Sequence, residues 1–174
     1  LGESQIIPFS REGTLDFSAV ELTANSVLSF QLANGETGAI NKVPEQLPID
    51  LLIAIDATAS GNREPLPEKW SSAVFDSRAW EGPAGLAVVA IADAASWKNP
   101  LPHISAVRRT YGTFSLPLLI ASAVALENFR PDDKNIRKMS AKIRTEITRE
   151  IPGLSIAGDL DKSLPHLTSL VIPG

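Results

Sequence analysis

The sequence predicts an α/β fold: part of a larger α/β domain with a mixed sheet over residues 1–130, then the start of a small α+β domain over residues 131–174. Three observations predict it. Short, continuously apolar runs alternate with loops through the first half. Two of those runs are joined by a turn too short for a crossover helix, so strand directions must be mixed. After Pro131 an amphipathic helical stretch leads into two brief strands.

The elements follow in order. Gln5-Ile6-Ile7-Pro8-Phe9 reads as a strand, followed by a polar turn over residues 10–13. Asp16 or Ser18 is placed to cap a short helix covering Ala19 to Leu22. Ser26 to Leu32 is a strand that ends at Ala33-Asn34-Gly35, and Leu51 to Ile55 is an unbroken apolar strand that ends in Asp56. Runs of that kind suit parallel strands buried on both faces. Ala73-Val74-Phe75 and Leu86 to Ile91 are two further strands, and the turn Glu81-Gly82-Pro83-Ala84-Gly85 between them predicts an antiparallel pair. Phe114 to Phe129 is apolar nearly all round, with Pro117 tolerated in the first turn, and predicts a buried helix. Asp132 or Asp133 caps a second helix, in which Ile136, Met139, Ile143 and Ile147 form one apolar stripe that Pro152-Gly153 ends. Leu154 to Ala157 and Ser169 to Ile172 are the closing strands. Because the chain starts without methionine at a strand approach, and its last strands make a poor independent unit, a fragment or processed product is expected.

Composition narrows the function. With 44% hydrophobic and 21% charged residues, the 174-residue chain has enough apolar content for a packed core. A formal net charge of −4 argues against a nucleic-acid partner, which requires a concentrated basic face. The absence of cysteine excludes disulfides, zinc–thiolate sites and thiol nucleophiles from this chain. His103 and His166, the two histidines, stand too far apart to suggest a metal site. The most apolar window, Phe114 to Leu126, is well short of the roughly 20 residues that span a bilayer. No targeting segment opens the chain, so a cytoplasmic location without a membrane partner is expected.

Several segments, in order, then resemble landmarks of the cysteine desulfurase branch of the class V aminotransferases, enzymes built on the fold-type-I, aspartate-aminotransferase-like scaffold. Asn34-Gly35-Glu36-Thr37-Gly38 is similar to that family's Asn-Asn-Glu-Thr-Gly, and Ile55-Asp56-Ala57-Thr58-Ala59 to its Val-Asp-Ala-Thr-Gln. Asp76-Ser77-Arg78-Ala79-Trp80-Glu81-Gly82-Pro83-Ala84-Gly85 is similar to Ser-Gly-His-Lys-Phe-Gly-Gly-Pro-Lys-Gly. Tyr111-Gly112-Thr113 resembles Ser-Gly-Thr before a long helix, and Leu164-Pro165-His166 matches a Leu-Pro-His/Asn region. The resemblance implies part of a pyridoxal-phosphate (PLP) transferase large domain, in a family that takes sulfur from cysteine through PLP.

Carried over position by position, the resemblance implies that Asp56 pairs with the protonated ring nitrogen of PLP, keeping the ring an electron sink. It implies that Thr113 reaches the cofactor phosphate across a homodimer interface, and it retains Asn34 from the Asn-Asn pair. The chain departs from the family elsewhere. The Schiff-base lysine position is Ala79, whose methyl group cannot bond covalently to the cofactor. The preceding histidine is Arg78, the ring-contacting glutamine is Ala59, and the second asparagine is Gly35. No catalytic residue is therefore assigned. PLP is expected without covalent attachment, its candidate contacts being Asp56, Thr113, Asn34 and Arg78.

Each of these residues also has an ordinary structural use. Asp56 would satisfy a turn, Thr113 would cap the helix after it, Arg78 would be solvated or ion-paired, and both histidines would lie at the surface. Two functions from different classes follow. One is a cysteine-desulfurase-like protein with impaired chemistry, working as a homodimer on a small molecule or with a sulfur-acceptor protein. The other is a non-catalytic dimerisation or partner-binding protein derived from that fold.

Overall fold

The computed structural model describes residues 3–95 and 115–173. Its centre is a four-stranded sheet of β1 (Val27–Gln31), β2 (Leu52–Asp56), β3 (Ser72–Asp76) and β4 (Ala87–Ile91), ordered β1-β2-β3-β4. The first three strands are parallel and β4 is antiparallel to β3, pairing Asp76 with Ala87 and Ser72 with Ile91. The mixed sheet thus follows the expectation set by the short turn after β3. Both parallel crossovers, residues 32–51 and 57–71, are irregular chain without an α-helix.

Those crossovers nevertheless build the core. Leu28 and Phe30 of β1, Ile53 and Ile55 of β2 and Ala73 of β3 point to one face, where Phe17, Leu32, Leu51 and Ala57 complete a buried cluster. Val43 and Leu47 from the first crossover and Leu66 and Trp70 from the second pack over it. Phe17 meets Phe30 edge-on, with ring centroids 5.5 Å apart. The buried Asn41 side chain accepts from the Leu15 backbone N–H and donates to the Gln31 carbonyl, both at 2.8 Å, which ties the leading segment to β1.

The expectation of strands buried on both faces is corrected. The opposite face of the sheet is uncovered, with Val27 at 64% and Leu52 at 55% exposure. An apolar run reports that a strand is hydrophobic on both sides, and only tertiary packing decides whether both sides are covered.

Three further expectations change. Gln5 to Phe9 is no strand: it makes one antiparallel bridge, Phe9 to Leu15, and leaves Ile6 and Phe9 exposed. The short helix at Ala19 to Leu22 is a 3-10 turn at Phe17–Ala19, capped by Asp16, whose carboxylate accepts from the Ser18 N–H. The apolar helix forms as α1 (Leu116–Asn128), but most of its large side chains are exposed and Ser122 is its buried residue. Among the described residues its main anchor is Trp80, whose indole N–H donates to the Ser122 carbonyl and hydroxyl, each at 3.2 Å. Trp80→Phe is expected to cost about 1–2 kcal/mol, since a buried hydroxyl loses its donor, and to speed amide exchange in α1 before it affects the sheet; hydrogen exchange measures this.

Asp132 caps α2 (Asp133–Glu150), accepting from the Asn135 N–H. The apolar stripe of α2 is split: Ile136 and Ile147 are half-buried and Met139 and Ile143 are exposed, while Ser140 and Arg144 are buried. The covering segment explains this, because it presents backbone acceptors. Arg144 donates to the Leu167 carbonyl at 3.0 Å, and Arg137 donates to the carbonyls of Leu160 and Ser163. The two closing strands pair antiparallel as β5 (Ser155–Ala157) and β6 (Ser169–Val171). The segment between them docks on the turn after β1 through an Ala39–Ser163 bridge and a Leu164 N–H bond to the Gly38 carbonyl at 2.9 Å.

Candidate functional site

Strand β2 delivers Asp56 to the carboxyl ends of the parallel strands, where ligands bind in open α/β sheets. One carboxylate oxygen accepts from the backbone N–H of Thr58 at 3.0 Å and from its hydroxyl at 2.6 Å. The other faces the Gln31 side-chain amide at 3.5 Å. Asp56 borders a shallow depression of about 280 Å³, shared with Ser29, Ala54, Ile55, Thr58, Ser72 and Val74. This depression lies on the uncovered face of the sheet. The Thr58 bonds fix the carboxylate in a turn, and among the described residues its second oxygen has only the long Gln31 contact, at 3.5 Å, on that side.

Asn34 is placed differently. Its side-chain oxygen accepts from the N–H groups of Glu36 and Thr37, each at 2.9 Å, so it shapes the turn leaving β1. It lines a larger open cleft of about 890 Å³ beside β1, which meets the Asp56 depression at Ser29 and does not include Asp56.

Arg78 lies in a 3-10 turn, Ser77–Trp80, capped by Asp76. The guanidinium stays on that capping carboxylate, with contacts of 3.0 Å from Nε and 2.6 Å from Nη2, and the side chain is 69% exposed. These hydrogen bonds from Arg78, first from its side chain and then from its backbone, hold the Asp76 carboxyl below its ordinary value. Arg78 is therefore engaged locally.

Ala79, in the same turn, packs against Gly61 of the crossover that follows Asp56. Gly61 has φ +55°, and a Cβ there would overlap the Ala79 Cβ and come within 3.0 Å of the Ala79 carbonyl oxygen. The backbone of Gly61 thus passes close to the Ala79 methyl. Thr113, with Tyr111 and Gly112, lies outside the described residues, as does His103.

Tested against PLP, the donor set splits. Asp56 fits pairing with a protonated ring nitrogen. Position 79 offers no amine, and Lys69 is spent on the carbonyls of Pro48 and Ile49. Among the described residues no group of three His, Cys, Asp or Glu side chains could hold a metal, and no helix is long and apolar enough to cross a membrane.

The turn that holds Asp56 is the structural use the sequence allowed for it, and the Thr58 hydroxyl contact is the added detail. One cluster that sequence reasoning missed, Arg63 with Phe129 and Asp133, left no local trace because its members come from distant stretches, whereas His166 is exposed, as expected. Arg63 pairs with Asp133 and lies 5.1 Å over the Phe129 ring.

No family model and no curated protein matches the chain. Solved structures do. A NifS-like protein superposes with TM-score 0.79 at 22% identity, covering 98% of this chain and 51% of its own. The NifS-like protein of Rickettsia africae gives 0.73 at 19%, covering 97% and 51%. The cysteine desulfurase of Thermococcus onnurineus gives 0.71 at 18%, covering 98% and 50%. The chain spans about half the length of the structures it resembles. At these identities the likeness establishes architecture: the chain has the fold of part of a fold-type-I, PLP-transferase large domain, as in the NifS-like cysteine desulfurases.

Proposed function

We propose that this chain is the central part of a cysteine-desulfurase-like protein that has kept the ring-nitrogen carboxylate and lost covalent chemistry. The observation that carries the reading is Ala79, a methyl group at the family's lysine position, packed against Gly61. When bound, PLP supplies an electron sink for substrate bonds. In this chain Asp56 would hold the proton on the ring nitrogen, and Thr58 would orient the carboxylate for that task. No residue described here would tether the cofactor or move a proton at the substrate carbon.

A second reading, dimerisation or partner binding without catalysis, is favoured by the uncovered apolar side chains of α1. Large exposed apolar surface is uncommon on monomeric soluble proteins unless it meets a partner. A homodimer with Thr113 at the subunit boundary would suit both readings.

The test is direct. Full-length protein mixed with PLP, then reduced with borohydride, is expected to show an unchanged protein mass and no absorbance band from a lysine-linked cofactor. A reduced pyridoxyl group on any lysine, located by peptide mass, would end the proposal. Weak reversible binding that Asp56→Asn abolishes is the expected positive counterpart.

A further inference from the structure

The turn that leaves β1 places Gly35 directly after Asn34, so no side chain shields the nitrogen next to the asparagine amide. The Asn34 side-chain oxygen accepts from the N–H groups of Glu36 and Thr37, each at 2.9 Å. The bond to Glu36 closes a ring that contains the Gly35 nitrogen, which holds the Asn34 amide carbon folded back toward that atom. Two donors on one carbonyl oxygen also draw electron density from its carbon and would stabilise an oxyanion formed there. Gly35 leaves the approach open: it is exposed, and even a Cβ at its position would meet nothing within 4 Å. Among the described residues neither the Gly35 N–H nor the Asn34 side-chain nitrogen has a hydrogen-bond partner. Asn34 lines the open cleft beside β1, which admits water and lets a small leaving group escape.

We propose that Asn34 is a site of spontaneous deamidation, activated by the folded turn, and that its isoaspartyl product undocks the C-terminal segment. This inference is independent of whether PLP binds. The Gly35 nitrogen gives up its proton to solvent and bonds to the Asn34 Cγ, while the carbonyl electron pair moves onto Oδ1. That pair returns as the Cγ–Nδ2 bond breaks, and Nδ2 takes a proton from water and leaves as ammonia. Water then opens the cyclic imide at either carbonyl, giving aspartate or isoaspartate. Amide plus water become carboxylate plus ammonium, with no oxidation or reduction.

In the isoaspartyl product two carbonyl groups exchange roles. The side-chain carbonyl enters the main chain, and the former main-chain carbonyl of Asn34 becomes a free carboxylate. In the unmodified chain that carbonyl accepts from the Gly38 N–H at 2.9 Å, and the Gly38 carbonyl accepts from the Leu164 N–H at 2.9 Å. Lengthening the main chain by a methylene therefore displaces the acceptor on which the segment between β5 and β6 docks. The aspartyl product keeps the original main chain and strengthens the Glu36 and Thr37 bonds with a charge.

The full chain would be aged in mildly alkaline buffer made with heavy-oxygen water and followed by peptide mass, with fragmentation separating aspartate from isoaspartate. Asn34 is expected to convert before Asn25, Asn41, Asn62, Asn128 and Asn135, to take up heavy oxygen and to yield isoaspartate. Conversion should be several-fold faster in the folded chain than in urea. Gly35→Ala, whose methyl group shields the nitrogen without crowding the fold, should slow it several-fold. In the isoaspartyl fraction the Leu164 amide is expected to exchange several-fold faster than in fresh chain, with β2 unchanged. Conversion no faster in the folded chain than in urea overturns the proposal. So does aspartate as the sole product, or Leu164 protection equal to that of fresh chain.

Discussion

Ile53→Ala is expected to destabilise the folded chain by about 3–4 kcal/mol, towards the upper end for losing a large buried aliphatic side chain. Ile53, the second residue of β2, is fully buried. Its backbone is fixed on both sides: it pairs with Leu28 of β1, its N–H bonds the Ser71 hydroxyl, and its carbonyl accepts from the Ser71 N–H. The cavity therefore cannot close by strand movement, and the loss includes cavity energy as well as transfer energy. Only one face of the sheet is covered, so this single cluster carries the hydrophobic stabilisation of the strands. Against a typical total of about 5–15 kcal/mol, such a loss would bring the chain near its unfolding threshold at room temperature. Urea denaturation measures it, with Ile53→Val as a control expected to cost about 1 kcal/mol. Equal midpoints for wild type and Ile53→Ala would mean that the core lies elsewhere.

Gly61→Ala should be nearly as damaging, by another mechanism. The left-handed backbone at Gly61, φ +55°, costs an ordinary residue about 1–2 kcal/mol. The added methyl also overlaps Ala79, and the Ala79 carbonyl oxygen limits any retreat. We expect a loss of about 3 kcal/mol in all, conformational and steric parts together. Ala79→Gly on the Gly61→Ala background should recover the steric share and leave the conformational one, a coupling that a double-mutant cycle reads out. Gly35→Ala is the natural control, because a Cβ there meets nothing within 4 Å and needs no left-handed backbone. If Gly61→Ala were as harmless as Gly35→Ala, the close contact between position 79 and the crossover would be wrong.

The strands from Val27 to Ile91 were legible because each apolar run is bounded by turn residues, and one linker length dictated the antiparallel pair. Burial was less legible. The run Leu116 to Leu126 is hydrophobic on all sides whether or not anything covers it, so local periodicity could identify the helix but not its neighbours. In α2, Ile136, Met139, Ile143 and Ile147 define the apolar side, yet burial centres on Ser140 and Arg144, where the covering segment offers carbonyl groups. At the site, Asp56 and Ala79 were legible from motif spacing, and the structure adds the Thr58 bonds and the Gly61 contact. Asn34 and Arg78 were legible as positions, but their local turn and ion-pair partners are matters of geometry. The cluster around Arg63 joins residues 70 apart in sequence and has no local signature.

Because residues 32–51 and 57–71 cross from strand to strand without a helix, each parallel pairing must close a plain loop before any local structure rewards it. Closure entropy grows only slowly with length, by about 0.6 kcal/mol per doubling. Insertions at exposed points of these crossovers should therefore be cheap at equilibrium. The search time is a different matter: non-local pairing without helical nuclei slows folding. Newly made chain will then carry its sheet-forming segments unpaired for longer, and rapid chaperone capture during synthesis will matter more to its yield than the stability it finally reaches.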